Sequence, residues 1–205
     1  MAQLWELLEI EKGLTAVMGS GGKTGLLYEL AEELRPYGTV LLATTTHIMR
    51  PPQYPFAATA AELASALTSH GAACAGSFTA EGKLTAPDGS KRLPAKAHAA
   101  WEPVLPPQRR RTVCVLGAST FGQTIRQAAH RPALYAALAG VTEDTVITPE
   151  LAAQVLMAEG GFDVIYVNQI DDPGFSPALT ESFARAVSCP VVVGSLHRRR
   201  WKKLR

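Results

Sequence analysis

The feature that most constrains this chain is Gly19-Ser20-Gly21-Gly22-Lys23-Thr24, set between a strand-length apolar run and a helical pattern. Leu14-Thr15-Ala16-Val17-Met18 precedes the glycines directly. Leu26, Leu27, Leu30, Ala31 and Leu34 follow with the spacing of one helix face, which ends at Arg35-Pro36-Tyr37-Gly38. Strand, glycine turn, lysine, hydroxyl and helix together make a phosphate-binding loop the expected reading. Glycines let backbone amides approach an anion with no β-carbon between, and the helix N-terminus adds partial positive charge. Gly19, Ser20, Gly21, Gly22, Lys23 and Thr24 are therefore the expected nucleotide-contacting residues. Lys23 would act on the terminal phosphates, and the Thr24 hydroxyl would hold Mg²⁺. The usual pattern places a glycine five positions before Gly22, where this chain has Val17, so the loop is a shorter variant. An ordinary glycine turn before a helix is the competing reading.

Thr39 to Ala43 is a second β-rich run and leads into Thr44-Thr45-Thr46-His47. Strand, crossover helix and second strand predict a parallel βαβ unit, whose ligands lie beyond the carboxyl ends of the strands. That reading places Thr45 and His47 beside the glycine loop, Thr45 toward Mg²⁺ and His47 for hydrogen bonding or proton transfer. Alternatively the threonines merely suit a strand end and the histidine caps it.

Farther along, 50–58 reads as irregular and proline-rich, and Thr59 to Ser69 as a helix. Gly71 to Ala86 reads as a strand, a turn and a hairpin edge. The stretch 87–107 reads as one long functional or mobile loop carrying Asp88, Lys91, Arg92 and Lys96. Thr112 to Gly117 and Asp163 to Asn168 are continuous apolar runs, hence buried parallel strands. Residues 121 to 139 read as one or two helices broken at Arg131-Pro132. Thr148-Pro149-Glu150 opens a helix that closes at Gly160-Gly161, Pro177 to Val187 is another, and Pro190 to Val193 a last short strand. Alternation from end to end predicts one α/β domain over 1–205: a three-layer, P-loop NTPase-like, mostly parallel sheet flanked by helices.

Composition adds exclusions. The chain has 205 residues, of which 47% are hydrophobic and 19% charged, as in an ordinary globular protein. No run approaches the roughly 20 apolar residues of a membrane span. The first residues lack the pattern of a secretory signal, so a cytoplasmic protein with no membrane partner is expected. Net charge is +2, yet the last eight residues carry six positive charges, so the remainder is net negative. A basic tail can meet nucleic acid. A solvated, frayed terminus is the expectation here, with nucleic acid not the expected partner. Cys74, Cys114 and Cys189 are widely separated and read as free thiols rather than a disulfide or zinc site.

Asn168-Gln169-Ile170-Asp171 ends a buried strand, where GTP-binding P-loop proteins place Asn-Lys-x-Asp. By that resemblance Asp171 would accept hydrogen bonds from a guanine, with Asn168 beside it and Gln169 in place of the lysine. An ordinary Asn-x-x-Asp turn is the alternative.

Several motifs in order resemble one family. They are the glycine loop, Ala43-Thr44-Thr45-Thr46-His47-Ile48, Asp88-Gly89-Ser90-Lys91-Arg92-Leu93-Pro94-Ala95-Lys96, Trp101-Glu102-Pro103-Val104-Leu105-Pro106, His130-Arg131-Pro132 and Ile147-Thr148-Pro149-Glu150. The chain resembles the selenium-dependent hydroxylase accessory proteins of the YqeC type from about residue 14 to 195. The resemblance implies a nucleotide-binding accessory protein in the maturation of selenium-dependent molybdenum hydroxylases or their cofactor. ATP or GTP with Mg²⁺ would be the ligand, and a molybdopterin-type cofactor or a molybdenum hydroxylase the partner. Lys23, His47 and Asp88 would be the catalytic candidates; Thr24, Thr45 and Asp88 the metal candidates. Lys91, Arg92 and Lys96 would line an anionic substrate.

The family usually carries a glutamate where this chain has Ala86, and a histidine where it has Trp101. Losing the carboxylate implies nucleotide binding that survives better than turnover. Whether the chain is a Mg²⁺-dependent enzyme therefore stays open. The alternative is a non-catalytic, nucleotide-gated protein-binding module with a degenerate metal site.

Overall fold

The computed structural model describes residues 2–44, 53–75, 93–99, 101–172 and 175–205. It is a mixed α/β structure with a mostly parallel sheet flanked by helices, consistent with a P-loop NTPase-like fold. In chain order the elements are α1 (Leu4–Leu7), β1 (Leu14–Gly19), α2 (Lys23–Leu34), β2 (Val40–Ala43), β3 (Phe56–Ala57), α3 (Ala60–His70), β4 (Ala72–Ala75) and β5 (Ala95–Lys96). There follow β6 (Arg109–Gly117), a 3-10 turn at Ala118–Thr120, α4 (Ile125–Ala128), β7 (Ala129–His130), α5 (Pro132–Ala139) and α6 (Pro149–Glu159). The chain closes with β8 (Val164–Asn168), α7 (Pro177–Ala186), β9 (Val191–Ser195) and β10 (Arg200–Lys203). It divides into two compact units, one of Met1–Lys23 with Ser90–Arg205 and one of Thr24–Gly89.

The larger unit is built on a sheet of order β1-β6-β8-β9-β10. The first four strands run parallel and β10 runs antiparallel. All of β8 and β9 is buried, which is why Val164-Ile165-Tyr166-Val167 and Val191-Val192-Val193 read as unbroken apolar runs rather than alternating ones. On one face Cys114, Leu116, Ile165, Val167 and Val191 pack with Ile125, Tyr135, Val155, Leu156 and Phe183 of the helices. Fully burying side chains such as Ile125 and Phe183 contributes about 1.5–3 kcal/mol each. Helix starts follow local chemistry: the Thr148 hydroxyl accepts from Leu151 N at 3.2 Å, with Pro149 at the first helical position.

The smaller unit holds a parallel sheet of order β2-β4-β3. Its core is Ala31, Leu42, Tyr54, Ala72 and Cys74, with Leu27, Tyr28, Val40 and Phe56 against them. The Tyr54 hydroxyl donates to Glu32 Oε1 at 2.6 Å, and burial, then this partner, raises the phenol well above its ordinary range. Thr59 and Glu62 form a reciprocal cap that starts α3.

Four expectations need correction. The strand expected to complete a βαβ unit with β1 does not pair with it: β1 pairs with β6, and β2 belongs to the three-stranded sheet. Only Leu42 of β2 is buried, so the strand lacks the two-sided apolar surface of a central position. β4 is no hairpin edge either, because it pairs in parallel on both sides. The second half of that expected hairpin lies outside the described residues.

The basic tail is not frayed. Arg200–Lys203 is the edge strand of the large sheet, pinned where Trp201 Nε1 donates to Ala2 O at 2.9 Å and Lys203 Nζ to Glu9 Oε1 at 2.7 Å. Its cations remain exposed, as suits an edge strand. Finally, the stretch 87–107 is not loop throughout: Ala95–Lys96 is a short strand paired with Ala129–His130, and Ala95 and Ala97 are fully buried. Residues 87–92 lie outside the described residues.

Candidate functional site

Because β1, β6, β8 and β9 are parallel, Gly19, Gly117, Asn168 and Ser195 lie at one edge of the large sheet, the carboxyl edge where open α/β sheets bind ligands. The glycine loop is fixed there by neighbouring backbone. Ser20 N donates to Val115 O at 2.8 Å, and the buried Ser20 hydroxyl donates to Leu93 O. Gly117 N donates to Pro94 O at 2.9 Å, so Leu93-Pro94 ties down both β-strand ends. Gly21 has φ +85°, and a β-carbon there would stand 2.4 Å from Gly117 N. Neither the conformation nor the space admits a side chain.

Asn168 holds the loop from the other side. It is 7% exposed, its Nδ2 donates to Gly21 O at 2.9 Å, and its Oδ1 accepts from Leu196 N at 3.2 Å. One amide thus joins the end of β8 to the glycine loop and to the residue after β9. Gln169 adopts φ +67°, and its side-chain oxygen accepts from the Ser119 hydroxyl at 3.3 Å. The Asp171 carboxylate is 3.8 Å from Arg198 Nε. A hydrogen bond from Ser195 foremost, with His197 and Arg198 nearby, holds it below the ordinary carboxylate range.

The donor set of the loop fits a phosphate. Among the described residues the amides of Gly21 and Gly22 donate to no protein acceptor. Lys23 Nζ donates to Gly19 O at 2.7 Å, an internal contact that places the ammonium on the loop itself. No residue from Gly19 to Thr24 carries a carboxylate. Thr24 follows in the first turn of α2 and supplies a hydroxyl suited to Mg²⁺. Thr45, His47 and Asp88, and with them Lys91 and Arg92, lie outside the described residues. Among the described residues no cluster of three or more His, Cys, Asp or Glu could hold a metal.

Lys96 is a correction. Expected to face an anionic substrate, it is 7% exposed, with Nζ 3.2 Å from Glu102 Oε2. Glu102 is half-buried and also takes the guanidinium of Arg131, which lies 5.9 Å from the Trp101 ring centroid. An isolated ammonium could not be buried at this depth, so Lys96 is spent on internal pairing. Next to it Glu159 accepts from His98 N at 2.6 Å and pairs with His98 Nδ1 at 3.0 Å.

Gly117, Ser119, Leu196 and the Leu93-Pro94 backbone join the site without a motif that marks these contacts in the sequence. Gly117 was legible as the last residue of a buried run. The others become neighbours only through strand order.

A sequence profile of the YqeC protein family matches residues 15–133, more than half of the chain. The chain belongs to the YqeC family. It is 33% identical over 176 residues to the uncharacterized protein YqeC of Escherichia coli (strain K12), covering 72% of this chain and 69% of that protein. No solved structure matches it. The match to the family spans the glycine loop, the Leu93–Lys96 segment and the Glu102–Arg131 pair, whereas Asn168 and Leu196 lie beyond it. No helix among the described residues is long and apolar enough to cross a membrane.

Proposed function

We propose that this YqeC family member binds a nucleoside triphosphate at Gly19–Thr24, ATP or GTP with Mg²⁺. It would serve as an accessory protein in the maturation of selenium-dependent molybdenum hydroxylases or their cofactor. The observation that carries the reading is an acid-free loop at the carboxyl edge, with the Gly21 and Gly22 amides unpaired among the described residues and the Lys23 ammonium on the loop. A phosphate would take those amides and draw Lys23 from Gly19 O. Thr24 would ligate Mg²⁺, which supplies charge neutralisation between the phosphates when bound. Asn168 would keep the loop in its anion-accepting shape, and Asp171 would read the base.

The test is thermal shift with ATP, GTP and CTP in the presence of Mg²⁺, on the wild-type chain and on Lys23→Ala. A ligand that binds only the folded state stabilises it by about 2.7 kcal/mol at a hundredfold excess over its dissociation constant. The wild type should shift and Lys23→Ala should not, with the fold of both unchanged by circular dichroism. Equal shifts in the two proteins, or none in the wild type, remove the loop from the account. Phosphate release at saturating nucleotide then separates an enzyme from a nucleotide-gated binding module.

A further inference from the structure

The other end of the same strands carries a groove that the glycine loop does not explain. It has a volume of about 390 Å³ and is walled by Pro107, Arg109, Arg110, Thr112, Phe162 and Asp163. Arg109 and Gly117 are the first and last of the nine residues of β6, roughly 26 Å apart at the rise of a parallel strand. Successive residues of a strand normally face opposite sides, so Arg109 and Arg110 should not share a wall. Here the ladder between β1 and β6 is irregular: Leu14 pairs with Arg109 and Thr15 with Arg111, and Arg110 is the extra residue. A bulge of this kind re-aims side chains, and bulges are enriched beside functional sites.

The two guanidiniums are poorly consumed by the protein. Arg109 donates through Nε to Thr112 Oγ1 at 3.0 Å and through Nη1 to Pro106 O at 3.2 Å, which orients it without neutralising it. The Arg110 guanidinium makes no hydrogen bond or ion pair among the described residues. Its stem lies over Gly13, where a β-carbon would meet Arg110 Cδ at 2.7 Å. Arg111, by contrast, is tied to Glu9 Oε2 at 2.7 Å and Leu8 O at 3.1 Å. The amides of Gly161, also on the groove, and Phe162 donate to no protein acceptor among the described residues. Asp163 stands on the wall as well, but one carboxylate oxygen accepts from Thr112 N at 2.7 Å.

The geometry points to a second anion site in this groove, taking a compact oxyanion with several acceptor oxygens: a phosphate or a phosphate-ester group. Two guanidiniums and two amides offer more donors than a single carboxylate accepts, and guanidinium forks match phosphate oxygens. The wall is a local pair of cations opposed by one acid, which suits a compact group rather than a long polyanion. Asp163 limits the affinity by like-charge repulsion.

The experiment is isothermal titration of the full chain with inorganic phosphate and with pyrophosphate. Lys23→Ala is the background, so that the glycine loop does not contribute. Pyrophosphate should still bind Lys23→Ala. Adding Arg110→Gln should weaken it about tenfold or more, the loss expected for a hydrogen bond to a charged group. Arg110→Lys should retain part of the affinity. Asp163→Asn keeps an oxygen for Thr112 N and should strengthen binding severalfold. Arg110 makes no internal bond, so the variant should fold, and its melting curve checks this.

Loss of all phosphate and pyrophosphate binding with Lys23→Ala alone would overturn the proposal. So would an Arg110→Gln background that binds no less tightly. A short oligonucleotide that binds more tightly than pyrophosphate and depends on Arg110 would replace the compact oxyanion with nucleic acid. If Lys23→Ala binds nucleotide like wild type while Arg110→Gln still weakens pyrophosphate, the loop reading falls and this site stands.

Discussion

Asn168→Ala is the most direct way to ask whether the glycine loop is held in shape from β8. The wild-type amide makes two bonds at 7% exposure, to Gly21 O at 2.9 Å and from Leu196 N at 3.2 Å. Alanine removes both and leaves the carbonyl of Gly21 and the amide of Leu196, two half-buried residues, without this partner. Each such group costs about 1–3 kcal/mol, so the variant should lose about 2–5 kcal/mol, less where water replaces the lost oxygen and nitrogen. For a chain of this size that lowers the melting temperature of the large-sheet unit by roughly 5–15 °C. The assay is urea unfolding followed by circular dichroism, with calorimetry to assign the transition. Asn168→Asp separates stability from ligand binding. It preserves the acceptor for Leu196 N but sets a carboxylate oxygen against Gly21 O and beside any bound phosphate. It should therefore weaken nucleotide binding more than alanine does. An Asn168→Ala protein within about 0.5 kcal/mol of wild type, the range of an ordinary surface substitution, would show that the amide does not hold the loop in shape.

Three further outcomes follow from the same geometry. Glu102→Ala should cost about 3–5 kcal/mol in urea unfolding by removing the carboxylate that Lys96 and Arg131 share, whereas Lys96→Met should cost less because Glu102 keeps Arg131. Gly21→Ala should destabilise far more than Gly122→Ala in matched melts. Both have φ +85°, but a β-carbon at Gly21 meets Gly117 N at 2.4 Å and one at Gly122 meets nothing within 4 Å. Glu9 has its folded-state pKa lowered, chiefly by its hydrogen bond from Lys203. Its contribution is therefore present above the unfolded value and lost as pH falls through the lower folded value, so Glu9→Gln should flatten the acid side of the stability curve. Equal acid slopes in the two proteins would show that this contact adds nothing.

Local chemistry alone determined much of this protein. The run Leu14–Met18, the glycines and the helical spacing after Lys23 specify strand, turn and helix whatever surrounds them, because each depends on near neighbours. The same holds for Thr148-Pro149 as a helix start and for the buried runs of β6 and β8, whose two-sided apolar surface fits only a central parallel strand. Strand order was decided by tertiary packing. β1 pairs with β6, ninety residues away, in preference to the nearby β2, whose single buried leucine fits it to a smaller sheet. That choice brings Gly117, Asn168 and the Leu93-Pro94 backbone onto the glycine loop, a juxtaposition that no local pattern encodes. Lys96 and the basic tail make the same point with charge. A lysine reads as solvated in a sequence, and a partner such as Glu102, distant from any local pattern, offsets the cost of its burial. Arg200 to Lys203 read as a loose cationic end until Val191–Ser195 presents an open edge for them to join. Hydrogen-bonding and ionic partners distant along the chain are set by the packed fold, and so the environment of each charge is a property of the tertiary structure.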